Sequence, residues 1–470
     1  MSKISRKHFL KRSTLGMAGM TMIPSFLAGK ESFQQLDIRN WKKKFSANDR
    51  IQIATIGMGI ISHYNTRTAL EVPGVEFVAA ADCYDSRLVR TKEVFGNDVY
   101  TTKDYREILD MDDVDAVILC TPDHWHAQMT IEALEAGKHV YCEKPMVQDL
   151  EEGKRVIEAE QNSDAILQVG SQFASDLIFQ KAAELFQSGA IGKLNQVIAI
   201  YNRNSSLGAW QYTMPEDATP ETVDWDSFLG NAPERPWDPK RFFRWRCYKD
   251  YGTGVPGDLF VHLFTGVHTA LGAHGPSHVA GFGGLRSWYD GRNAPDVISG
   301  QYNYAETESH PEFTLVLQSN LADGGGTGTR FQFIGDEGAF EISPANSLRL
   351  NRIPRREPSL NQLVEGYNSV MTFSEEVQQE FIQNYRDENQ GQVQYKPDMD
   401  QSEEYRTPDN YDDRLDHFVN FFDSIRNGTP VFEDGTFGFR AAAPALLTNQ
   451  SLEEKRVLGW DPETMETTDA

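Results

Sequence analysis

The chain is poor in cysteine, in positive charge and in long apolar runs, and each shortage removes a class of protein. Its 470 residues hold four cysteines (Cys83, Cys120, Cys142 and Cys247) and no Cys-x-x-Cys pair, which excludes a disulfide framework and a zinc ribbon. Three of the four fall at expected strand ends, where a small buried thiol packs well, so free thiols are expected. Lysine and arginine number 45 against 69 aspartates and glutamates, a net charge of −24. Such a surface repels phosphate backbones and argues against a nucleic-acid partner. The apolar stretch Thr14–Leu27 is too short to span a bilayer as a helix, and no other run is long enough, so no membrane span is expected. No internal repeat is visible. With 39% apolar and 24% charged residues the composition is that of a globular protein with room for two large domains.

Residues 1–28 carry five basic side chains (Lys3, Arg6, Lys7, Lys11, Arg12) and no acidic one, followed by the weakly apolar Thr14–Leu27, and read as an export signal. The run Ser5-Arg6-Lys7-His8-Phe9-Leu10-Lys11 resembles a twin-arginine signal with lysine in place of the second arginine. A basic tail of no function has the same composition. A route that moves folded proteins suits a large chain that folds before export, so a periplasmic location is expected. Residues 29–49 then form a polar linker.

From residue 50 the pattern alternates. Strands are expected at Ile51–Ile56, Val75–Ala81, Ala116–Cys120, Val140–Cys142 and Ala165–Val169. Helices are expected through Leu70 and at Asp85–Phe95, Ala127–Ala136 and Leu150–Gln161. Strands separated by helices imply a parallel sheet with crossovers, a doubly wound domain over 50–172. Beyond it, a helix Phe173–Gln187 precedes strands at Asn195–Tyr201, His278–Trp288, Val297–Tyr304, Glu312–Gln318 and Arg330–Ile334. These follow one another through turns, which implies an antiparallel or mixed sheet. Residues 375–416 hold thirteen acidic and four basic side chains and read as a solvated acidic insertion. A last helix is expected at Leu415–Ile425.

Chemistry is concentrated at strand ends. Gly57 permits a tight turn after the first strand. Gly59 leaves room for a pyrophosphate at the following helix N-terminus, with Met58 and Ile60 completing the turn. Ser62 replaces the third glycine of the fingerprint. Asp82 ends the second strand, where a carboxylate accepts from a ribose diol and repels a 2′-phosphate, which favours NAD over NADP. Thr121-Pro122-Asp123-His124-Trp125-His126 follows a strand and should line the same crevice, with Trp125 against the cofactor and His126 near its ribose or the substrate. The pair His124 and His126 lacks further ligands at metal spacing, so no metal is expected; helix N-capping by the Thr121–Asp123 segment is an alternative role. Lys144, in Tyr141-Cys142-Glu143-Lys144-Pro145, ends another parallel strand and can polarise the oxygen of an alcohol that loses hydride to a nicotinamide. If a helix follows Gly257, Asp258 and His262 lie one turn apart, a carboxylate orienting an imidazole base. The same spacing also suits an acidic first turn and a histidine at the domain seam.

Together Gly57-Met58-Gly59, Asp82, Thr121-Pro122, Ala136-Gly137-Lys138-His139-Val140, Glu143-Lys144-Pro145 and Asp258-x-x-x-His262 resemble the glucose–fructose oxidoreductase / inositol dehydrogenase / MocA-type family. Trp225-Asp226, Trp245-Arg246 and Gly252-x-Gly254 fall in family order, and the match covers most of residues 50–460. The resemblance implies an α/β protein: an N-terminal Rossmann domain, here 50–172, and a C-terminal α/β domain, 173–470, built on a large open, mostly antiparallel sheet through which family members often associate as homo-oligomers. It also implies that Lys144 stabilises the reacting oxygen, His262 acts as acid/base and Asp258 supports it. Trp245, Arg246 and Tyr248 would bind sugar hydroxyls, and Glu143, Trp125, His126 and Gln172 would line the cofactor. Three positions depart from the family: Phe173 and Ala174 replace arginines, and Thr265 replaces an aspartate.

The expected function is reversible hydride transfer between NAD and a secondary alcohol of a sugar or glycoside. Two alternatives stand beside it: glycoside cleavage through transient sugar oxidation, and a non-catalytic sugar-binding protein of the same fold.

Overall fold

The computed structural model describes residues 33–37, 50–353, 360–367, 369–388 and 401–469. The expected export signal, and all of the linker except residues 33–37, lie outside the described residues. All described residues but Phe33 belong to one compact unit, Gln34–Ala470.

The first sheet has six parallel strands in the order Tyr100–Thr102, Val75–Ala81, Ile51–Ile56, Ala116–Leu119, His139–Glu143, Leu167–Gly170. Its central strands are buried on both faces, as the continuous runs in Ile51–Ile56 and Ala116–Leu119 require. Helices Ile60–Glu71, Asp85–Phe95, Asp123–Glu135 and Leu150–Gln161 supply crossovers. Strand order reverses beside Ile51–Ile56, so the carboxyl ends of this strand and of Ala116–Leu119 open onto the crevice where such sheets bind ligands.

The second sheet has eleven strands and is mostly antiparallel. At its centre Leu194–Asn202 pairs antiparallel with Gly328–Gly335 and parallel with Phe313–Asn320. Phe313–Asn320 continues through Val297–Tyr304 to His278–Gly284. The last of these stops four residues before the expected end at Trp288. On the other side the sheet runs through Gly338–Ser343 and Ser347–Arg352 to Gln401–Arg406.

Helix Val261–Leu271 packs across the inner face of this sheet, and Phe264 meets Tyr302 edge-on with ring centroids 4.9 Å apart. The helix ends at Gly272, whose φ of 64° is the left-handed cap glycine tolerates.

The acidic segment is only in part the expected solvated insertion: its first helix has no buried residue, while the later elements join the fold. Glu375–Glu388 is a helix, Gln401–Arg406 is a strand of the large sheet, and Asp413–Asn427 is a helix on the parallel sheet. There Phe418 stacks on Tyr141 with ring centroids 4.3 Å apart. Sheet pairing and burial against Tyr141 outweigh the local charge density. A buried helix, Gly435–Glu454, then follows where no element was expected. No helix among the described residues is long and apolar enough to cross a membrane. All four cysteines are free thiols.

Candidate active site

The two sheets meet at a cleft of about 490 Å³ lined by Gly57, Gly59, Ile60, Asp82, Thr121, Trp125, Glu143, Lys144, Gln172, Trp245, Arg246, Asp258 and His262. The sequence therefore brought most of its candidates to one place, at the strand ends of the first sheet.

At the glycine turn Gly57 has φ 87°, and a Cβ there would sit 2.8 Å from the Cys120 carbonyl oxygen. Both facts require glycine. Gly59 is the N-cap of Ile60–Glu71, and a Cβ on it would meet nothing within 4 Å. That helix has no side-chain cap and no acidic residue in its first turn, so its first N–H groups face the cleft unclaimed by side chains. The buried Thr121 hydroxyl, also on the cleft, has no hydrogen-bond partner among the described residues. An anionic dinucleotide fits this set: free helix N–H groups, open space over Gly59 and an orphaned hydroxyl. Asp82 stands at the cleft with its carboxylate braced by the N–H of Met58 (2.7 Å), the N–H of Tyr84 (2.9 Å) and Arg87 (3.3 Å). Met58 thus takes part through its backbone; its side chain is buried.

At the opposite end Lys144 Nζ donates to the Asp258 carbonyl (2.8 Å) and to Asp258 Oδ1 (3.0 Å). Arg246 Nε donates to the same Oδ1 (3.2 Å), the Trp210 indole N–H to Oδ2 (3.3 Å), and Arg203 lies 3.8 Å from Oδ2. Burial alone would push the Asp258 carboxyl up, but Lys144, Arg246 and Arg203 outweigh it and hold the carboxyl well below its ordinary range. The expected pairing of Asp258 with His262 is not formed. Three cations arriving from elsewhere in the chain claim the carboxylate, and His262 Nδ1 meets Ser171 Oγ at 3.4 Å instead. Burial first, then the Lys144 charge, push the His262 imidazole well below its ordinary value, so it is neutral at neutral pH. The chain through Pro256–Phe260 winds as a π-helix before the α-helix that carries His262, a local feature that accompanies functional sites.

Glu143 accepts from Asn65 Nδ2 (2.8 Å), and Gln172 Nε2 donates to the Gly170 carbonyl (3.0 Å), so both are held at the cleft wall. Trp125 lines the cleft while its indole N–H donates to the Phe228 carbonyl (2.9 Å). His126 does not reach the cleft: its ring nitrogens lie 2.7 Å from the Pro145 carbonyl and 3.0 Å from the Thr121 carbonyl. It ties the Thr121 loop to the cis Lys144–Pro145 turn rather than touching a ligand. Tyr248 is likewise away from the cleft, buried beneath the Arg241 guanidinium, 4.3 Å from the ring centre. Its neighbours Trp245 and Arg246 are at the cleft; three-residue 3₁₀ winding over Trp245–Cys247 turns Tyr248 aside.

Several cleft residues were not foreseen. Tyr201 and Arg203 come from and just after the strand Leu194–Asn202, and Arg414 from the helix within the acidic segment. Trp210 is fully buried with φ 65°, a backbone conformation that costs a bulky residue about 1–3 kcal/mol and is kept where the surroundings demand it. None of these has motif spacing; only the isolated basic character of Arg203 and Arg414 hinted at them. In all, seven cationic and four carboxylate side chains line the cleft, the reverse of the protein's overall charge.

A doubly wound parallel sheet with a glycine turn and terminal aspartate, facing a large open sheet across a charged cleft, defines a two-domain Rossmann-type protein with a dinucleotide-binding seam. Residues 51–171 match an oxidoreductase family with an NAD-binding Rossmann fold, and residues 198–280 match the C-terminal alpha/beta domain of the same family. Both matches are to models of the GFO_IDH_MocA oxidoreductase family. It is 30% identical over 175 residues to an inositol 2-dehydrogenase of Salmonella typhimurium, covering 37% of this chain and 50% of the relative. It is 32% identical over 164 residues to a glycosyl hydrolase family 109 protein of Shewanella, covering 32% of this chain and 36% of the relative. The chain thus spans half or less of the length of these curated relatives. A levoglucosan dehydrogenase solved with NADH and levoglucosan shares the fold, with TM-score 0.62, 17% identity, and coverage of 87% of this chain and 99% of that one.

Proposed function

We propose that the protein is an NAD-dependent oxidoreductase acting on a secondary alcohol of a sugar or glycoside. The observation that carries this reading is the convergence of Lys144, from a strand end of the parallel sheet, with Asp258 and His262 from the other half, at one wall of a dinucleotide-sized cleft. Relatives named as inositol dehydrogenases, and a structural neighbour bound to NADH and an anhydrosugar, support the substrate class. NAD, when bound, supplies the hydride acceptor or donor. The chain does the rest. His262, kept neutral by burial and by Lys144, takes the hydroxyl proton at its cleft-facing nitrogen. Lys144, held in place by Asp258, puts positive charge beside the oxygen that loses that proton. Trp245 and Arg246 hold the sugar. Positioned acid–base groups of this kind contribute about 10²–10⁴-fold. Purified protein given NAD⁺ and a panel of sugars, inositols and glycosides should produce NADH with at least one; a protein that binds no NADH would end the proposal.

The Shewanella relative favours a second reading, glycoside cleavage with NAD regenerated in each cycle. Aryl glycosides without added NAD separate the two, because free aglycone without net NADH supports cleavage. We propose as well that the chain is exported through its basic leader and assembles through the open face of the large sheet. Phe282, 62% exposed on the strand His278–Gly284 of that sheet, supports the assembly reading.

A further inference from the structure

We propose that the sugar taken by the cleft carries a carboxylate, as a uronic or aldonic acid does, and that Arg246 and Arg203 bind this group beside the reacting hydroxyl. The proposal deepens the oxidoreductase reading and rests on it for the position of that hydroxyl at Lys144 and His262.

Positive charge is in surplus at one end of the cleft. Lys144, Arg203 and Arg246 converge on Asp258 at 3.0, 3.8 and 3.2 Å, and none of the three has a second ion pair among the described residues. One carboxylate therefore serves three cations. Burial alone would lower Arg203 and Arg246, but Asp258 outweighs it and raises both, so each keeps its full charge. Glu143, the other carboxylate at this end, accepts from Asn65 Nδ2 at 2.8 Å and from the Lys144 backbone N–H at 3.3 Å. It pairs with no cation among the described residues. Arg414 adds a fourth cation near enough to act on the His262 ring, and its buried Nε has no hydrogen-bond partner among the described residues.

A bound dinucleotide does not meet this surplus. Its pyrophosphate belongs at the helix N-terminus beside Gly59, at the other end of the cleft, and an oxidised nicotinamide carries one more positive charge. Sheltered cations without a counter-charge are a cost to the fold unless a ligand supplies one. A neutral sugar leaves the surplus standing; a carboxylate removes part of it.

Arg246 has donors to spare. Its Nε donates to Asp258 Oδ1, the one hydrogen bond of its guanidinium among the described residues, so both Nη groups remain for a ligand. The guanidinium lies over the Trp245 ring, 4.1 Å from its centre, which fixes its plane. An edge of two Nη groups matches the two oxygens of a carboxylate. Arg203 is anchored in the same wall by the Gly208 carbonyl at 3.3 Å and by the Tyr201 ring. Lys144 and Arg246 donate to the same Asp258 oxygen, so the acid group and the reacting hydroxyl are neighbours on one small molecule.

The test titrates the NADH-loaded full chain with pairs that differ only in the oxidation of one carbon: glucose against glucuronate, galactose against galacturonate, glucitol against gluconate. Fluorescence of bound NADH and melting temperature are the readouts. In at least one pair the acid should bind at least about tenfold more tightly, the worth of a charge-assisted hydrogen bond. Arg246→Gln and Arg203→Gln should each cut that preference several-fold. Each leaves Asp258 two cations, so neither bares a buried carboxylate, and if one variant fails to fold the other decides. No acid preferred to its neutral counterpart in any pair, or variants that keep the full preference, overturns the proposal. Glucose 6-phosphate bound more tightly than glucuronate overturns the choice of a carboxylate. A protein that binds NADH without preferring an acid leaves the oxidoreductase reading standing. One that binds no NADH ends that reading, and the melting series still decides for or against the acid.

Discussion

Lys144 Nζ lies 3.0 Å from Asp258 Oδ1 and 2.8 Å from the same residue's carbonyl oxygen. One side chain thereby joins a strand end of the parallel sheet to the helical turn that leads into His262. The contact is sheltered, with both side chains 11% exposed. Asp258 balances Lys144, Arg246 and Arg203 together, so its removal leaves buried cations without a counter-charge. Asp258→Ala should destabilise the fold by about 3–5 kcal/mol in urea titration. A loss below about 1 kcal/mol would mean that the cluster is wet and unimportant to the seam.

The two glycines of the turn make a contrast that one protein can test against itself. Gly57→Ala forces a side chain into φ 87° and against the Cys120 carbonyl, so both stability and NADH affinity should fall. Gly59→Ala meets open space, and its φ of −81° is ordinary. That variant should melt like the wild type yet bind NADH at least about tenfold more weakly, because the methyl group occupies the approach to the helix N-terminus. Equal NADH affinity in Gly59→Ala and wild type would remove the dinucleotide from this turn.

Cofactor choice depends on the Asp82 carboxylate. It accepts from Met58 and Tyr84 and is paired with Arg87. Asp82→Ala removes a charge that repels a 2′-phosphate and releases Arg87, which can pair with one. Fluorescence titration should show weaker NADH binding and a ratio of NADPH to NADH affinity raised by about tenfold or more. An unchanged ratio would mean that Asp82 serves only the turn.

Glu160 gives a pH dependence of known sign. Burial, and then the nearby Asp434, push its carboxyl up to about 7 from 4.5. The folded state therefore holds a proton that the unfolded chain has already lost. Its stabilising contribution is complete below about pH 4.5 and is lost as pH rises through 7. Glu160→Gln keeps one acceptor for the Gly435 N–H and cannot ionise. Between pH 5 and 8 the wild type should lose about 2 kcal/mol relative to this variant. Parallel melting-temperature profiles of the two proteins would contradict the assignment.

The parallel half was legible because each element stands out against its neighbours. Val75–Ala81 and Asp85–Phe95 end where their apolar runs and breakers end, and the structure has the same bounds. Gly435–Glu454 was not legible: its glycines, alanines and Pro444 blur helix propensity, and burial nearly all round leaves no polar face to set a period. The strand Gln401–Arg406 was hidden by charge, since its Glu403 and Glu404 are balanced by Arg352, Arg349 and Arg406 across and along the sheet. At the site, strand-end motifs announced Gly57, Asp82 and Lys144. The spacing of Asp258 and His262 placed both at the cleft but misjudged their partnership, because Arg203, Arg246 and Lys144 reach the carboxylate from distant parts of the chain. His126 and Tyr248 were misplaced for a related reason: neighbours in sequence to cleft residues, they are turned away by the local winding of the backbone.

The central claim is that Lys144 acts on the reacting oxygen and is dispensable for holding the dinucleotide. Lys144→Met keeps the length of the side chain, and Arg246 and Arg203 remain to balance Asp258. The measurement is NADH formation by this variant on whichever sugar or glycoside the wild type oxidises, paired with NADH titration of the same preparation. The account predicts affinity within a few-fold of wild type and turnover reduced by at least about 10²-fold. A Lys144→Met protein that turns over at the wild-type rate would contradict it.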